Sequence, residues 1–251
     1  MAPFLFKTDI MYFTDNTIVF KDGRFIPAEE ARTSDYTQTL HYGNGAFEGM
    51  RSYENAEGCN IFRAQDHFER LQYSASSMHM KIPYSSEELT QIAYQLLDKN
   101  GLTNAYIRPL VYSDVNMGLQ PTGEVHVFMA AWEWGKYLGT EPLNVMVSSF
   151  QRPNPKSTVI DAKIVGHYTN SIMATAEATK LGFDEALLLD MDGNVAEGPG
   201  ANFFYEKDGI LYTPPAGHIL PGITRRTVIE IARMLGIRVV EKLFEIEEVY
   251  Q

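Results

Sequence analysis

The sequence is short of several things that would have named an activity quickly. Cysteine occurs once, at Cys59, among 251 residues. That excludes an intrachain disulfide and a cysteine zinc site. Positive charge is outnumbered, 21 Lys and Arg against 32 Asp and Glu, for a net −11. A nucleic-acid partner is therefore not expected, because phosphate backbones are held by clustered Lys and Arg. No apolar run approaches membrane-spanning length. The opening "MAPFLFKTDIMYF" has neither the charged start nor the long apolar stretch of a secretory signal. A soluble, cytoplasmic protein is expected, with no membrane partner. The six histidines show no metal-ligand spacing, so no metal is expected. There is no Gly-x-Ser-x-Gly elbow. "GNGAFEG" (residues 43–49) is glycine-rich but lacks the dinucleotide spacing and its strand–helix setting.

What is present suits a packed core: 45% of residues are hydrophobic. "TIVFKDGRFIP" reads as a hairpin turning at Asp22-Gly23. "NIFRAQDHFERLQYSASSMHM" reads as a helix with Phe68, Leu71, Ala75 and Met78 on one stripe. Ser85 and Glu88 fit a capping box for a second helix, with Leu89, Ile92 and Leu96 inside and Gly101 at its end. "AYIRPLVYSD" and "EVHVFMAAWEW" follow as strands. A domain over 1–134, a linker at 135–140 and a larger domain over 141–251 are expected.

The second half opens with the strand "NVMVSSF" and continues with a helix from about His167 to Leu181. A meander of short strands with tight Asp-Gly turns comes next, running from "EALLLD" to "ILYTP". "LPGIT" then starts a last helix, with Thr224 as its cap and Val228, Ile231, Ala232 and Leu235 as its apolar stripe. The N–H groups at such a start attract an anion.

Individual residues leave their chemistry open. Lys163 in "DAKIVGHY" could be a nucleophile that burial makes neutral, or an ordinary surface lysine. Glu197, before "GPG", could face a cationic ring or sit solvated in a turn. Tyr168 could be a core residue. Arg108 in an apolar strand wants an anion, either a protein carboxylate or a substrate. Arg70 could lie on a solvated helix face. Taken together, the set is what pyridoxal phosphate requires: an imine-forming lysine, an acid for the pyridine nitrogen and a phosphate cup.

At this point the chain resembles the fold type IV pyridoxal-phosphate enzymes, and within them the branched-chain amino-acid aminotransferases. The resemblance rests on "HYGNGAFEGMRSY", "FRAQDHFERL", "AYIRPL", "WGKYLG", "AKIVGHYTNS", "DEALLLDMDGNVAEGPGANFF", "LYTPP" and "LPGIT", in family order and spacing. It implies a two-domain α+β fold and pyridoxal 5′-phosphate as cofactor. Lys163 would bond to the cofactor and carry the proton between Cα and C4′. Glu197 would pair with the pyridinium nitrogen and Tyr168 with the phenolic oxygen. Arg70, Ile223 and Thr224 would hold the phosphate, and Leu220 would pack on the ring. Arg225 and Arg226 would then be free to face solvent.

For the substrate, Tyr42, Phe47, Trp134, Tyr137 and Tyr168 resemble the family's apolar pocket, with Gly49 leaving room beside it. Arg108 and Tyr106 would take the second carboxylate of glutamate. The loop 114–120, with Met117, resembles one that enters the partner subunit's site, which implies a homodimer. The implied reaction transfers an amino group between Leu, Ile or Val and 2-oxoglutarate. D-amino-acid aminotransferase, aminodeoxychorismate lyase and a truncated non-catalytic protein of the same fold remain alternatives. Family members continue into a segment with a Gly-Thr-Ala turn that these residues lack. The second domain is accordingly expected to be incomplete at its C-terminus and poorly stable.

Overall fold

The computed structural model describes residues 12–56, 58–121, 124–135 and 141–250. Its strands begin with β1 (Ile18–Lys21) and β2 (Arg24–Pro27), which pair antiparallel. Asp22 and Gly23 both take positive φ, 48° and 86°. That is the primed turn matching strand twist, and it explains the Asp-Gly pair. A short helix α1 (Gln38–Tyr42) leads to β3 (Gly45–Phe47), β4 (Met50–Asn55) and β5 (Gly58–Ile61). Helices α2 (Ala64–Ser77) and α3 (Ser86–Asn100) follow, then β6 (Tyr106–Ser113) and β7 (Val125–Trp132).

These strands form one antiparallel sheet in the order β2-β1-β7-β6-β4-β5, with β3 also paired to β6. α2 and α3 bury the sheet's inner face. Phe68, Leu71 and Ala75 of α2 and Leu89 and Leu96 of α3 join Ile107, Val111 and Met129 in one core. The expected capping box is present: Glu88 N–H donates to Ser85 Oγ, and Ser85 N–H donates to Glu88 Oε2.

The later residues build two smaller sheets. β8 (Val145–Gln151), α4 (Tyr168–Lys180) and β9 (Glu185–Leu189) make a parallel crossover, and β10 (Val195–Glu197) returns antiparallel on β9. Ala174 and Ala178 of α4 pack on Ala186 and Leu188. β11 (Tyr205–Lys207) and β12 (Ile210–Thr213) form a hairpin, and α5 (Ile223–Met234) carries the chain to β13 (Arg238–Glu241), parallel to β12. The expected single meander is therefore two hairpins in separate sheets. Gly198-Pro199-Gly200 separates them, because proline cannot donate to a ladder and glycine weakens one.

The last helix also differs from expectation. Gly222, not Thr224, occupies the cap position, and no side chain caps the helix. Its buried residues are Ile223, Arg225, Ile229 and Ala232, while Ile231 and Leu235 are half-exposed or more. The inward face is rotated from the apolar stripe because Arg225 is a core residue. Its guanidinium donates to Pro214 O and pairs with Glu241, at 2.8 and 2.7 Å. Arg226 is not idle either, since it pairs with Asp66 at 2.5 Å. With Arg63–Glu230, that pair ties α2 to α5.

Candidate active site

The site lies where the first sheet meets the two later ones. Backbone contacts join the segments there: Ala46 of β3 bridges Ile164, and Phe47 N–H donates to Lys163 O at 3.2 Å. Lys163 N–H donates to Ser74 Oγ of α2 at 2.9 Å. Lys163 is thus fixed from both sides, not free in a loop. Its amine meets Tyr168 Oη at 2.5 Å and lies 4.9 Å from the centre of the Phe47 ring. Burial brings its pKa down to about 8, with Glu48 pulling the other way. The Tyr168 hydroxyl is pushed up to about 12, chiefly by burial and then by Glu197, so it remains a proton donor.

Glu197 is a buried carboxylate, 4% exposed, at the end of β10. Asn202 Nδ2 donates to Oε2 at 2.9 Å and Leu220 N–H to Oε1 at 3.1 Å. Arg152, just past β8, places Nε 2.9 Å from Oε1. Burial raises the Glu197 pKa and Arg152 opposes that rise. Arg152, Lys163, Tyr168, Glu197, Asn202 and Leu220 line one recess.

A wider cleft shares Lys163 and Tyr168 with this recess. Phe47, Gly49, Tyr106, Arg108, Trp134 and Thr224 also line it. Tyr106 stacks edge-on against Trp134, with ring centres 4.8 Å apart. Its hydroxyl accepts from Arg108 Nε and Nη2 at 3.1 and 2.7 Å, and the guanidinium lies over Phe47 at 4.8 Å. No carboxylate pairs with Arg108 among the described residues, which removes the structural ion pair as its explanation. Gly49 does not leave empty room. An added Cβ would overlap the Tyr106 hydroxyl and lie 2.8 Å from its Cζ, so glycine is what lets Tyr106 stand there.

Arg70 is not on a solvated face. Nε and Nη2 meet Glu48 Oε1 and Oε2 at 2.6 and 2.9 Å, and Nη1 donates to Pro221 O at 3.0 Å. Arg70, Ile223 and the uncapped start of α5 border a third opening. Tyr42 and Met117, both expected at the substrate, do not line the cleft of this chain. Tyr42, at the end of α1, is half-exposed and donates to Met117 O at 3.0 Å, so it packs against the 114–120 loop instead. Tyr137 and most of the linker lie outside the described residues.

Sequence reasoning misses Glu48, His67, Arg152 and Asn202. Glu48 has a signal. If Phe47 and Gly49 face the cleft, strand alternation turns Glu48 into the core, where a carboxylate needs a partner, and His67 and Arg70 stand three apart on α2. Arg152 has none, since it meets Glu197 only through the fold.

A partly neutral lysine and a buried carboxylate share one recess, and Thr224 of the uncapped helix start lines the cleft that adjoins it; together they define a pyridoxal-phosphate enzyme site, and the chain belongs to the class IV aminotransferase family. The model of that family, Amino-transferase class IV, matches residues 45–251. Within it the relatives are branched-chain-amino-acid aminotransferases. The Pseudomonas aeruginosa protein is 44% identical over 93% of this chain and 78% of its own length. The Escherichia coli K12 protein is 39% identical over 97% and 79%. Among solved structures, the branched-chain aminotransferase of Thermoproteus uzoniensis with norvaline superposes at TM-score 0.90. It has 42% identity and covers 93% of this chain and 80% of that one. The branched-chain enzyme of Thermobaculum terrenum, at TM-score 0.87 and 33% identity over 94% and 80%, was solved in its PLP-bound holo form.

Proposed function

We infer that this protein is a pyridoxal-phosphate-dependent aminotransferase that moves the amino group between branched-chain L-amino acids and 2-oxoglutarate. The observation that carries this reading is the Lys163–Tyr168–Glu197 recess opening into an aromatic cleft that contains Arg108. The residues fit the cofactor. Burial disfavours the charged form of Glu197, so a cationic ring N–H is the partner that would stabilise it most. The uncapped start of α5 suits a phosphate.

On this reading Lys163, Tyr168, Glu197, Leu220, Ile223, Thr224 and Arg70 hold the cofactor, which when bound supplies a ring that withdraws electrons from the substrate Cα. Lys163 Nζ would take the proton from Cα and pass it to C4′ of the cofactor. With a pKa of about 8, roughly a tenth of it is neutral at pH 7, and that fraction can act as a base. Tyr168 Oη, 2.5 Å away, orients the amine. Phe47, Tyr106 and Trp134 exclude water from an aliphatic side chain. Arg108, held by Tyr106 Oη, receives the second carboxylate of glutamate. Both substrate types would then use one cleft, its rings packing on an aliphatic chain and Arg108 beside them taking a carboxylate.

The chain divides at the 135–140 linker into two domains with the site between them. The 114–120 loop with Met117 would serve the partner subunit of a homodimer, and Tyr42, bonded to that loop, would go with it; Tyr137 would remain a wall of the apolar pocket. No helix among the described residues is long and apolar enough to cross a membrane, and a cytoplasmic location accords with that. The test is the visible spectrum of the protein with pyridoxal 5′-phosphate. A cofactor band that changes with L-leucine and not with D-alanine is expected. A response to D-alanine alone would move the assignment to a D-amino-acid enzyme.

A further inference from the structure

Glu48 is the most deeply buried charge in the described residues, its side chain wholly inaccessible. It lies between β3 and β4, behind Phe47 and Gly49, and its oxygens accept from α2. Arg70 gives Nε and Nη2, at 2.6 and 2.9 Å, and His67 gives Nδ1 at 2.8 Å. Gly49 N–H adds a longer bond at 3.3 Å. Burial opposes its ionisation, but the bonds from His67 and Arg70 outweigh that and hold its pKa at about 2. An ionised carboxylate only accepts, so His67 Nδ1 carries a proton.

An arginine has five N–H groups. Glu48 takes one from Nε and one from Nη2, and Pro221 O takes one from Nη1. Two are left, and Pro221 immediately precedes the cap of α5. The guanidinium is rooted in the first half and reaches the helix start of the second. Without Glu48, a long flexible side chain would have only the Pro221 carbonyl to define its position, and its rotamer freedom would return.

We propose that Glu48, braced by His67, is a positioning residue. It fixes Arg70 edge-on so that the guanidinium's remaining N–H groups and the N-terminus of α5 form one preorganised phosphate grip. This rests on the reading of the recess as a pyridoxal-phosphate site. Glu48 touches neither ring nor substrate, so it acts only through Arg70. A buried carboxylate kept for core packing alone would be a poor choice, since apolar residues of similar volume often do as well or better.

The test is binding rather than turnover. Affinities of the cofactor-free protein for pyridoxal 5′-phosphate and for pyridoxal, which lacks the phosphate, are measured by absorbance titration. The wild type should favour the phosphorylated form strongly. Glu48→Gln keeps the shape but presents an amide N–H to donors, so it should lower affinity for pyridoxal 5′-phosphate at least tenfold. Pyridoxal affinity should stay within about twofold. In an Arg70→Ala background the same change should add almost nothing, because the group it positions is gone.

The proposal is overturned if Glu48→Gln leaves the preference intact, weakens both probes alike, or adds its full effect on top of Arg70→Ala. Should Glu48→Gln not fold, His67→Leu carries the same comparison, with a smaller loss, about threefold, confined to the phosphorylated form. A loss shared by both probes, or none, would count against it. Failure of the underlying reading looks different: the wild type itself would show no preference for the phosphorylated probe.

Discussion

Replacing Lys163 by methionine should stabilise the cofactor-free protein near neutral pH, although it removes the reacting group. The lysine has a folded pKa of about 8 against 10.5 for the free side chain. Below both values the amine is charged in the folded and unfolded states alike, and the folded state bears the full penalty. At 1.36 kcal/mol per unit, that penalty is roughly 3 kcal/mol at most, because the cleft admits water to the amine. Methionine also loses the bond to Tyr168 Oη, worth about 1 kcal/mol. A net gain of about 1–2 kcal/mol at pH 7 remains. Between pH 8 and 10.5 the unfolded state binds more protons than the folded one, so the wild type gains stability as pH rises. The advantage of Lys163→Met should therefore shrink through that window and vanish or reverse above it. Urea unfolding of both proteins without cofactor, at pH 7 and pH 10.5, measures this directly. A variant less stable than wild type at pH 7, with a difference that does not change with pH, would refute the claim that Lys163 is held in a setting hostile to its charge.

Other expectations follow from contacts in and beside the site. Gly49→Ala would drive a methyl into the Tyr106 ring, costing about 1–3 kcal/mol by overpacking. Because Tyr106 holds Arg108, it should raise KM for glutamate more than for leucine, which urea unfolding and steady-state kinetics would show. Arg152→Ala leaves Glu197 buried without its cation. A loss of about 3–5 kcal/mol is expected, read as a lower urea midpoint; an unchanged midpoint would mean that the pair is not formed. His126 is partly buried, which disfavours its charge, but bonds to Asp22 and Asp114 at 2.7 and 3.2 Å prevail and raise its pKa. A raised histidine contributes stability below its unfolded pKa that is lost as pH climbs through the folded one. The difference in stability between wild type and His126→Gln should thus be larger at pH 6 than at pH 9, as denaturation at the two pH values would show.

What can be read from the sequence follows the range of the interactions. The hairpin at Asp22-Gly23 and the Ser85–Glu88 box are complete within a few residues, so the sequence states them in full. The start of α5 is legible as open, but its inward face is not. Arg225 looks like a surface residue because its partners, Pro214 O and Glu241, lie on the chain before and after the helix. Charged residues are the hardest to place throughout, and for one reason. Periodicity sorts apolar from polar, but a buried charge is permitted only by a partner elsewhere in the chain, and that partner is a property of the fold.

The same logic explains where the site is. The first half contributes the aromatic wall, Arg108, and the Glu48–Arg70 pair; the second half contributes Lys163, Tyr168, Glu197 and the start of α5. Each half carries buried charge that it balances within itself: Glu48 with Arg70 in one, Glu197 with Arg152 in the other. Across the junction run backbone links, such as Phe47 N–H to Lys163 O, and side-chain ones: Arg70 to Pro221 O, Tyr73 to Asp161, and the ion pairs Arg63–Glu230 and Arg226–Asp66. The buried carboxylates Glu48 and Glu197 find their cations within their own halves, and the ion pairs that cross are partly exposed, so the halves meet without a large desolvation penalty at the seam. The groups left with spare bonding capacity there are the Lys163 amine, two Arg70 N–H groups and the uncapped helix start. Those are the groups a ligand with an anionic end and an electrophilic carbon would bind together, so such a ligand would hold the two halves in register as well as react between them.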